Sequence, residues 1–153
     1  MAYHYTECGL DNVYLENGFT VHKTAYGRGV SIDDTEALHK TIGEWIIALP
    51  KPLNGAELRF VRTELDMTQK DLGNILGTTE QTLRLWEKRR TKPIPSGPAD
   101  RLLRAFYGEW LHGSGSVIQM TERLARQRHI KGAKGRLSKS PRGGWRLAEK
   151  IAA

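Results

Sequence analysis

The chain has 153 residues, enough for one ordinary domain or two small ones, and a formal net charge of +7. Its single cysteine, Cys8, excludes an intramolecular disulfide and indicates a reducing compartment. No apolar run approaches the roughly 20 residues of a membrane helix, and the first residues lack the pattern of a signal peptide. We therefore expect a cytoplasmic protein with no membrane partner.

The charge is unevenly distributed along the chain. Residues 1–50 carry 3 Lys/Arg and 7 Asp/Glu, a net of −4, and residues 51–112 carry 11 and 8, a net of +3. Residues 113–153 carry 10 and 2, a net of +8. Overall basicity fits a phosphate-rich partner, but it belongs mainly to the last quarter of the chain, so the placement of individual charges is more informative.

The first 50 residues predict a small α+β domain. The β-formers at 13–15 and 19–21 flank Glu16-Asn17-Gly18, and Asn-Gly between such runs is a strong hairpin signal. Residues 26–32 are expected to add a third strand.

A helix follows these strands, with Ser31 as its predicted N-cap. Apolar residues then recur at helical spacing before Pro50 and Pro52 end the helix. They form a stripe that we interpret as a core or dimer contact: Leu38, Ile42, Trp45, Ile46 and Leu49.

Four helices are predicted between residues 54 and 112, each from its own start and stop signals. These signals are, in chain order, Asn54 with Glu57, Thr68 with Asp71, Gly77, Thr79 and Pro98. The second helix, a single glycine turn and the third helix would push the third helix outward, where it can enter a DNA major groove.

The exposed start of the third helix carries side chains suited to reading bases. With Leu83 and Trp86 turned inward, Glu80, Gln81 and Arg84 face outward. Gln and Arg hydrogen-bond adenine and guanine edges, and Glu accepts from cytosine. Gln69 can reach a phosphate beside the exposed amides of the second helix, and a basic cluster follows the third helix. This cluster comprises Lys88, Arg89, Arg90 and Lys92.

The run from Glu57 to Lys88 closely resembles the phage Cro/C1 repressor (XRE) helix-turn-helix family. Motif positions are filled by Thr68-Gln69, Leu72, Gly77, Leu83, Trp86 and Glu87. The resemblance implies a phosphate contact and base or backbone contacts from the start of the third helix. The expected DNA-binding set is Gln69, Lys70, Thr79, Glu80, Gln81, Arg84, Lys88, Arg89, Arg90 and Lys92. The family usually has glycine at position 89, so Arg89 leaves undetermined where this helix ends. One alternative is that the helix extends further and brings Arg90 nearer the DNA backbone.

The overall layout is similar to the MqsA-type antitoxins and related regulators. That family's N-terminal domain holds zinc through two Cys-x-x-Cys pairs, and its C-terminal domain dimerises and binds operator DNA. Structural zinc needs four ligands, whereas Cys8 is alone and neither His4 nor His22 has paired spacing with it. We expect no metal and no cofactor, and interpret Cys8 as a small buried residue at a turn.

Four functional classes differ in the support that the sequence gives them. No phosphate loop, HExxH motif or nucleophile with an identifiable base supports an enzyme. A regulator that represses transcription as a homodimer on an inverted-repeat operator is favoured, with Phe106, Tyr107 and Trp110 as the expected dimer contact. The alternative is an antitoxin whose acidic N-terminal domain grips a basic toxin while the helix-turn-helix autoregulates its operon. An RNA-binding function is less favoured, because the sequence lacks the aromatic-faced sheet motifs on which RNA bases stack.

The predicted organisation is therefore mainly α, a helix-turn-helix in a bundle of four to five helices, with a small N-terminal α+β domain containing a β-hairpin. The domains expected are 1–50, 54–112 and a basic tail, 113–153, with at most one further weak helix. Residues 131–145 have too little apolar surface to order and are expected to be disordered. The tail either contacts DNA phosphates non-specifically, serves as a linker, or docks on a partner through Trp145 and Leu147.

Overall fold

The computed structural model describes residues 2–113, 115–126 and 136–147. Within these residues the protein is mainly α, with small antiparallel β elements. The helices are α1 (Thr35–Ala48), α2 (Gly55–Glu64), α3 (Gln69–Leu76), α4 (Glu80–Lys88), α5 (Gly97–His112) and α6 (Ser116–Arg126). The strands are β1 (Tyr3–His4), β2 (Tyr14–Leu15), β3 (Phe19–Thr24), β4 (Gly27–Ile32), β5 (Leu137–Lys139) and β6 (Trp145–Leu147). No described helix is long and apolar enough to cross a membrane.

The prediction of a hairpin around Glu16-Asn17-Gly18 is wrong, because the hairpin of this region lies one strand later, between β3 and β4. Strand β2 pairs with β1, in the register Tyr3↔Leu15, and β3 pairs with β4. The hairpin turn lies between Thr24 and Gly27, which has a φ of +123°. Burial of Leu15 in the common core explains the change, because pairing with the distant β1 keeps that side chain inside.

Helix α1 begins three residues later than the sequence predicts. Asp34 is the N-cap, and its side chain accepts a hydrogen bond from the Ala37 N–H. Ser31 lies in β4 instead, where its hydroxyl contacts His22 at 2.8 Å. Of the predicted apolar stripe, Ile42 and Ile46 are buried, whereas Trp45 remains 42% exposed.

Arg104 of α5 ties the end of α1 to the linker that follows it. Its guanidinium donates to the carbonyls of Ile47 and Leu49, each at 2.9 Å, and to that of Lys51. The Asp100 carboxylate pairs with Arg104 at 3.0 Å and accepts from the Leu53 N–H. The bonds to Ile47 and Leu49 supply partners to carbonyls in the last turn and at the C-cap of α1, which have none within the helix itself.

The start signals of the central helices are confirmed. The Asn54–Glu57 capping box makes both of its hydrogen bonds, and Thr68 and Thr79 cap α3 and α4. Gly77 ends α3 in the left-handed conformation. Ser96 caps α5, with Pro98 in its first turn. The core between these helices and α1 includes Ile46, Leu58, Leu72, Leu83, Leu103, Phe106 and Tyr107.

The expected dimer contact fails for two of its three residues, because Phe106 and Tyr107 are fully buried within the chain itself. Tyr107 packs against Gly43 of α1, where an added Cβ would lie 2.0 Å from the Tyr107 hydroxyl. Burial, together with the nearby carboxylates of Glu64 and Glu44, raises the pKa of Tyr107. Trp110 stacks on Tyr107 but stays 41% exposed.

The segment after Gly113 forms the one further helix that the sequence allows, α6, which packs on α3 and α5. Thr121 is buried against them, whereas Leu124 is exposed.

The sequence predicts disorder for residues 131–145, but β5 pairs with β6 in the register Lys139↔Trp145. Strand pairing supplies backbone hydrogen bonds that the composition does not reveal. Residues 131–135 lie outside the described residues.

Candidate nucleic-acid interface

The turn between α3 and α4, residues 77–79, is fixed by short-range hydrogen bonds. The Thr78 N–H donates to the Gly73 carbonyl at 2.8 Å, and the Thr79 hydroxyl accepts from the Thr82 N–H at 3.1 Å. An added Cβ on Gly73 would lie 3.2 Å from the Thr78 carbonyl oxygen. Helix α3 therefore packs directly on the turn, which leaves the start of α4 little freedom to move.

The inner face of α4 is held by a buried ion pair as well as by apolar packing. Arg62 of α2 binds the Glu87 carboxylate through two nitrogens, at 2.7 and 2.9 Å, and donates to the Met67 carbonyl at 2.9 Å. Such bidentate, charge-assisted hydrogen bonds fix geometry as well as adding energy. They join α4 to α2 and to the loop before α3. Sequence reasoning gave Arg62 no role, although its position one helical turn after the buried Leu58 was a usable signal.

The outer face of α4 is polar except for one residue. Gln81, Arg84 and Lys88 are exposed, as predicted, and Arg84 pairs with Glu80 at 3.1 Å along the helix. Leu85 is 46% exposed on the same helix, four residues after Gln81. Sequence reasoning missed Leu85, yet its helical spacing from the buried Leu83 and Trp86 already placed it outside the core.

A groove of about 580 Å³ runs between α2, α3 and α4. It brings together four of the predicted DNA-binding residues, which are Gln69, Glu80, Arg84 and Lys88. Arg59 of α2, which the sequence did not single out, also lines the groove. The groove lining includes four cationic side chains, of which Arg62 and Arg84 pair with the carboxylates of Glu87 and Glu80. It lies next to the N-terminus of α3, whose first amides have no partner within the helix.

Lys70, Gln81 and Lys92 are exposed but do not line this groove, and Thr79 serves as the helix cap.

The extension of α4 that Arg89 left open does not occur, because α4 ends at Lys88. The backbone after α4 pairs with the start of α2 instead, the Ala56 N–H donating to the Arg90 carbonyl at 3.1 Å. Gly55 permits this close approach, since an added Cβ would lie 2.6 Å from the Arg89 carbonyl oxygen. The Arg90 side chain donates to the Gly9 carbonyl at 2.7 Å, which ties it to the N-terminal segment.

A second cavity, of about 350 Å³, lies between the N-terminal turn and α2 and includes Cys8, His39 and Arg90 in its lining. Cys8 is half-buried at a turn, where burial raises the pKa of its thiol. His39 contacts the Tyr5 hydroxyl at 2.8 Å and Glu64 at 3.4 Å. Across the described ranges, no three His, Cys, Asp or Glu side chains are grouped to hold a metal ion.

Comparisons of the chain with protein-family models, curated proteins and solved structures returned no match. The geometry and chemistry of the α3–turn–α4 unit are therefore the features that bear on function. In this unit α4 is fixed to α2 by the Arg62–Glu87 ion pair, and its exposed face carries hydrogen-bonding side chains. The groove beside it includes Arg59, Arg84 and Lys88 in its lining.

Proposed function

We propose that this protein is a sequence-specific DNA-binding transcriptional regulator, in which α3, residues 77–79 and α4 act as a helix-turn-helix. The observation that carries the proposal is the outer face of α4, where Gln81, Arg84 and Leu85 are exposed on a helix fixed from behind. A helix presented in this way fits a major groove about 12 Å wide.

Each exposed side chain of α4 matches a base edge. Arg84 suits guanine, whose two acceptors match a guanidinium, and Gln81 suits adenine. Leu85 suits the methyl group of thymine, the apolar feature of the major groove. Glu80 either accepts from cytosine or continues to orient Arg84, its present ion-pair partner.

Phosphate contacts would flank this reading face. Gln69 is the first residue of α3, so it and the free amides there suit a backbone phosphate. Lys88 and Arg59 line the same groove and would bind a phosphate on its rim. Lys70, Arg89 and Lys92 are exposed and remain proposed phosphate contacts.

In this proposal the protein acts in the cytoplasm as a homodimer that represses transcription from an inverted-repeat operator. One recognition helix reads only a few base pairs, and a two-fold operator supplies the rest of the specificity. Trp110 and Trp45 are each more than two-fifths exposed and are the aromatic residues of α5 and α1 available for a dimer contact. Repression rests on the resemblance to phage repressors alone.

A gel-shift titration tests the proposal directly. The DNA upstream of the gene is searched for an inverted repeat, which then serves as the probe. Arg84→Ala should weaken binding to this probe by about 5- to 150-fold, corresponding to about 1–3 kcal/mol for a bidentate base contact. The matched control is Arg101→Ala, which removes an exposed arginine from α5. Equal affinity of the wild-type protein and Arg84→Ala would contradict the proposed role of α4.

A second candidate function is the antitoxin of a toxin–antitoxin pair. The net charge of −4 in residues 1–50 favours it, because an acidic domain suits a basic toxin. A small basic reading frame beside the gene, whose product forms a stable complex with the purified protein, would support this function. A lone gene would leave the stand-alone repressor as the better proposal.

A further inference from the structure

The β3–β4 hairpin is the basic part of an acidic region. Residues 19–32 contain Lys23 and Arg28 but no aspartate or glutamate. All seven acidic residues of the first 50 lie outside the hairpin, where Lys40 is the remaining cation. The net charge of −4 therefore conceals two positive charges gathered on one structural element.

Those two charges lie directly opposite each other at the tip. Lys23 pairs with Arg28 in the strand register, one step before the turn that contains Tyr26. Like charges opposed across a pair of strands are destabilising. Neither side chain forms a salt bridge with any residue that the structure describes. The arrangement suits an anion supplied from outside the chain.

The tip also carries an aromatic hydroxyl. Tyr26 is fully exposed at the turn, so it contributes nothing to the core of the chain. Lysine, arginine and tyrosine side chains are all common donors to phosphate oxygens of DNA. The tip therefore combines two charged donors and one neutral donor, which favours a phosphodiester backbone over an apolar partner surface.

The base of the hairpin is connected to the residues that follow α4. Phe19 packs on Tyr3 at 5.4 Å between ring centroids, and β1 leads into the turn at Gly9. The Gly9 carbonyl accepts the hydrogen bond of Arg90, two residues beyond α4. A six-residue strand reaches roughly 17 Å from its base at about 3.3 Å per residue. The tip is thus carried well away from its anchor.

We propose that the tip of the β3–β4 hairpin, through Lys23, Arg28 and Tyr26, binds the DNA backbone outside the base pairs that α4 reads. The proposal rests on the proposed function. It assigns the hairpin to affinity rather than to specificity, because phosphates are the same at every base pair.

The test compares two double variants that lose the same charge. Lys23→Gln/Arg28→Gln removes the tip charges, and the control Lys40→Gln/Arg101→Gln removes one lysine and one arginine elsewhere on the surface. Binding to the operator and to unrelated duplex DNA is measured by fluorescence anisotropy between 50 and 200 mM salt. The tip variant should flatten the slope of log affinity against log salt by about 1.8, at about 0.9 per lost phosphate contact. Its operator preference should not change.

Each outcome has a distinct meaning. An unchanged slope, an equal flattening in the control, or a loss confined to the operator each overturns the hairpin proposal. Wild-type protein without operator preference overturns the proposed function, and the slope on unrelated DNA still decides the role of the hairpin. Circular dichroism melting of both double variants establishes that they are folded, and Tyr26→Phe, which keeps the ring, should weaken binding to both DNAs equally.

Discussion

The proposed recognition helix α4 and the β3–β4 hairpin are exposed in opposite ways. One face of α4 is sealed by Leu83, Trp86 and the Arg62–Glu87 pair, so only its outer face meets solvent. The hairpin is exposed over most of β3 and half of β4, and it packs on the core through Phe19 and Ile32. A base contact requires side chains held to within about 0.5 Å, whereas a phosphate attracts a cation over a wide range of orientations.

Under the proposed function, α4 would supply sequence specificity and the hairpin would supply affinity for the DNA backbone. Rigidity is useful where base identity is read, and reach is useful where only charge is sensed. Changes that loosen α4 should therefore alter stability and specificity, and changes at the hairpin should alter affinity without altering the preferred sequence.

Breaking the buried pair behind α4 should have the largest effect. Arg62→Met leaves the Glu87 carboxylate buried without its partner, and loss of one member of such a pair costs about 3–5 kcal/mol. Chemical denaturation should show this loss in the free energy of unfolding. The double variant Arg62→Met/Glu87→Met should recover most of it, because two apolar side chains leave no unpaired charge. A double variant as unstable as the single one would contradict this account.

A pair of glycine substitutions compares the helical packing with the hairpin. In Gly43→Ala the new Cβ would overlap the buried Tyr107 ring, so the ring or α1 must shift, at a cost of about 1–3 kcal/mol. In Gly29→Ala of β4 the new Cβ meets nothing within 4 Å, and stability should change by less than about 0.5 kcal/mol. Thermal unfolding measures both variants, and equal losses would contradict the contrast between the two regions.

The smallest expected effect on DNA binding concerns Leu85, the apolar residue on the proposed base-reading face of α4. Leu85→Ala should weaken operator binding about fourfold, since burial of one methyl group is worth about 0.8 kcal/mol. Replacing operator thymines by uracil removes only the methyl groups, and it should weaken the wild-type protein but not Leu85→Ala. The hairpin variant Lys23→Gln/Arg28→Gln should respond to uracil as the wild-type protein does. If uracil weakened the wild-type protein and Leu85→Ala equally, the proposed contact between Leu85 and thymine would be contradicted.

The helical part of the fold was largely predictable, whereas the strand pairing was not. The caps at Asn54, Thr68 and Thr79 act on amides two or three residues away, so the sequence contains everything that they require. The Asn17-Gly18 signal is just as local, but Tyr14 and Leu15 pair with β1 instead. Which strand a segment pairs with depends on burial of its apolar face, and that depends on the whole chain.

In the candidate site, too, the features set by nearby residues were predictable and the contacts between distant residues were not. The outward position of Gln81 and Arg84 follows from helical spacing, as does that of Leu85. The contacts behind and beside α4 join residues far apart in sequence, such as Arg62 with Glu87 and Arg90 with Gly9. No local pattern predicts them. The assignment of Phe106 to a dimer interface failed for the same reason, because an apolar helix face does not reveal which surface covers it.

Local sequence was enough to predict where the central helices begin, where α3 ends and which side chains of α4 face outward, because capping and helical periodicity act over a few residues. Only the tertiary structure decided that Arg62 fixes α4, that Arg90 binds the N-terminal segment, and that Lys23 and Arg28 meet at an exposed tip. The two arginine contacts join segments that come together only when the core forms. The hairpin register follows from the burial of Leu15, which pairs β2 with β1 and leaves β3 to pair with β4.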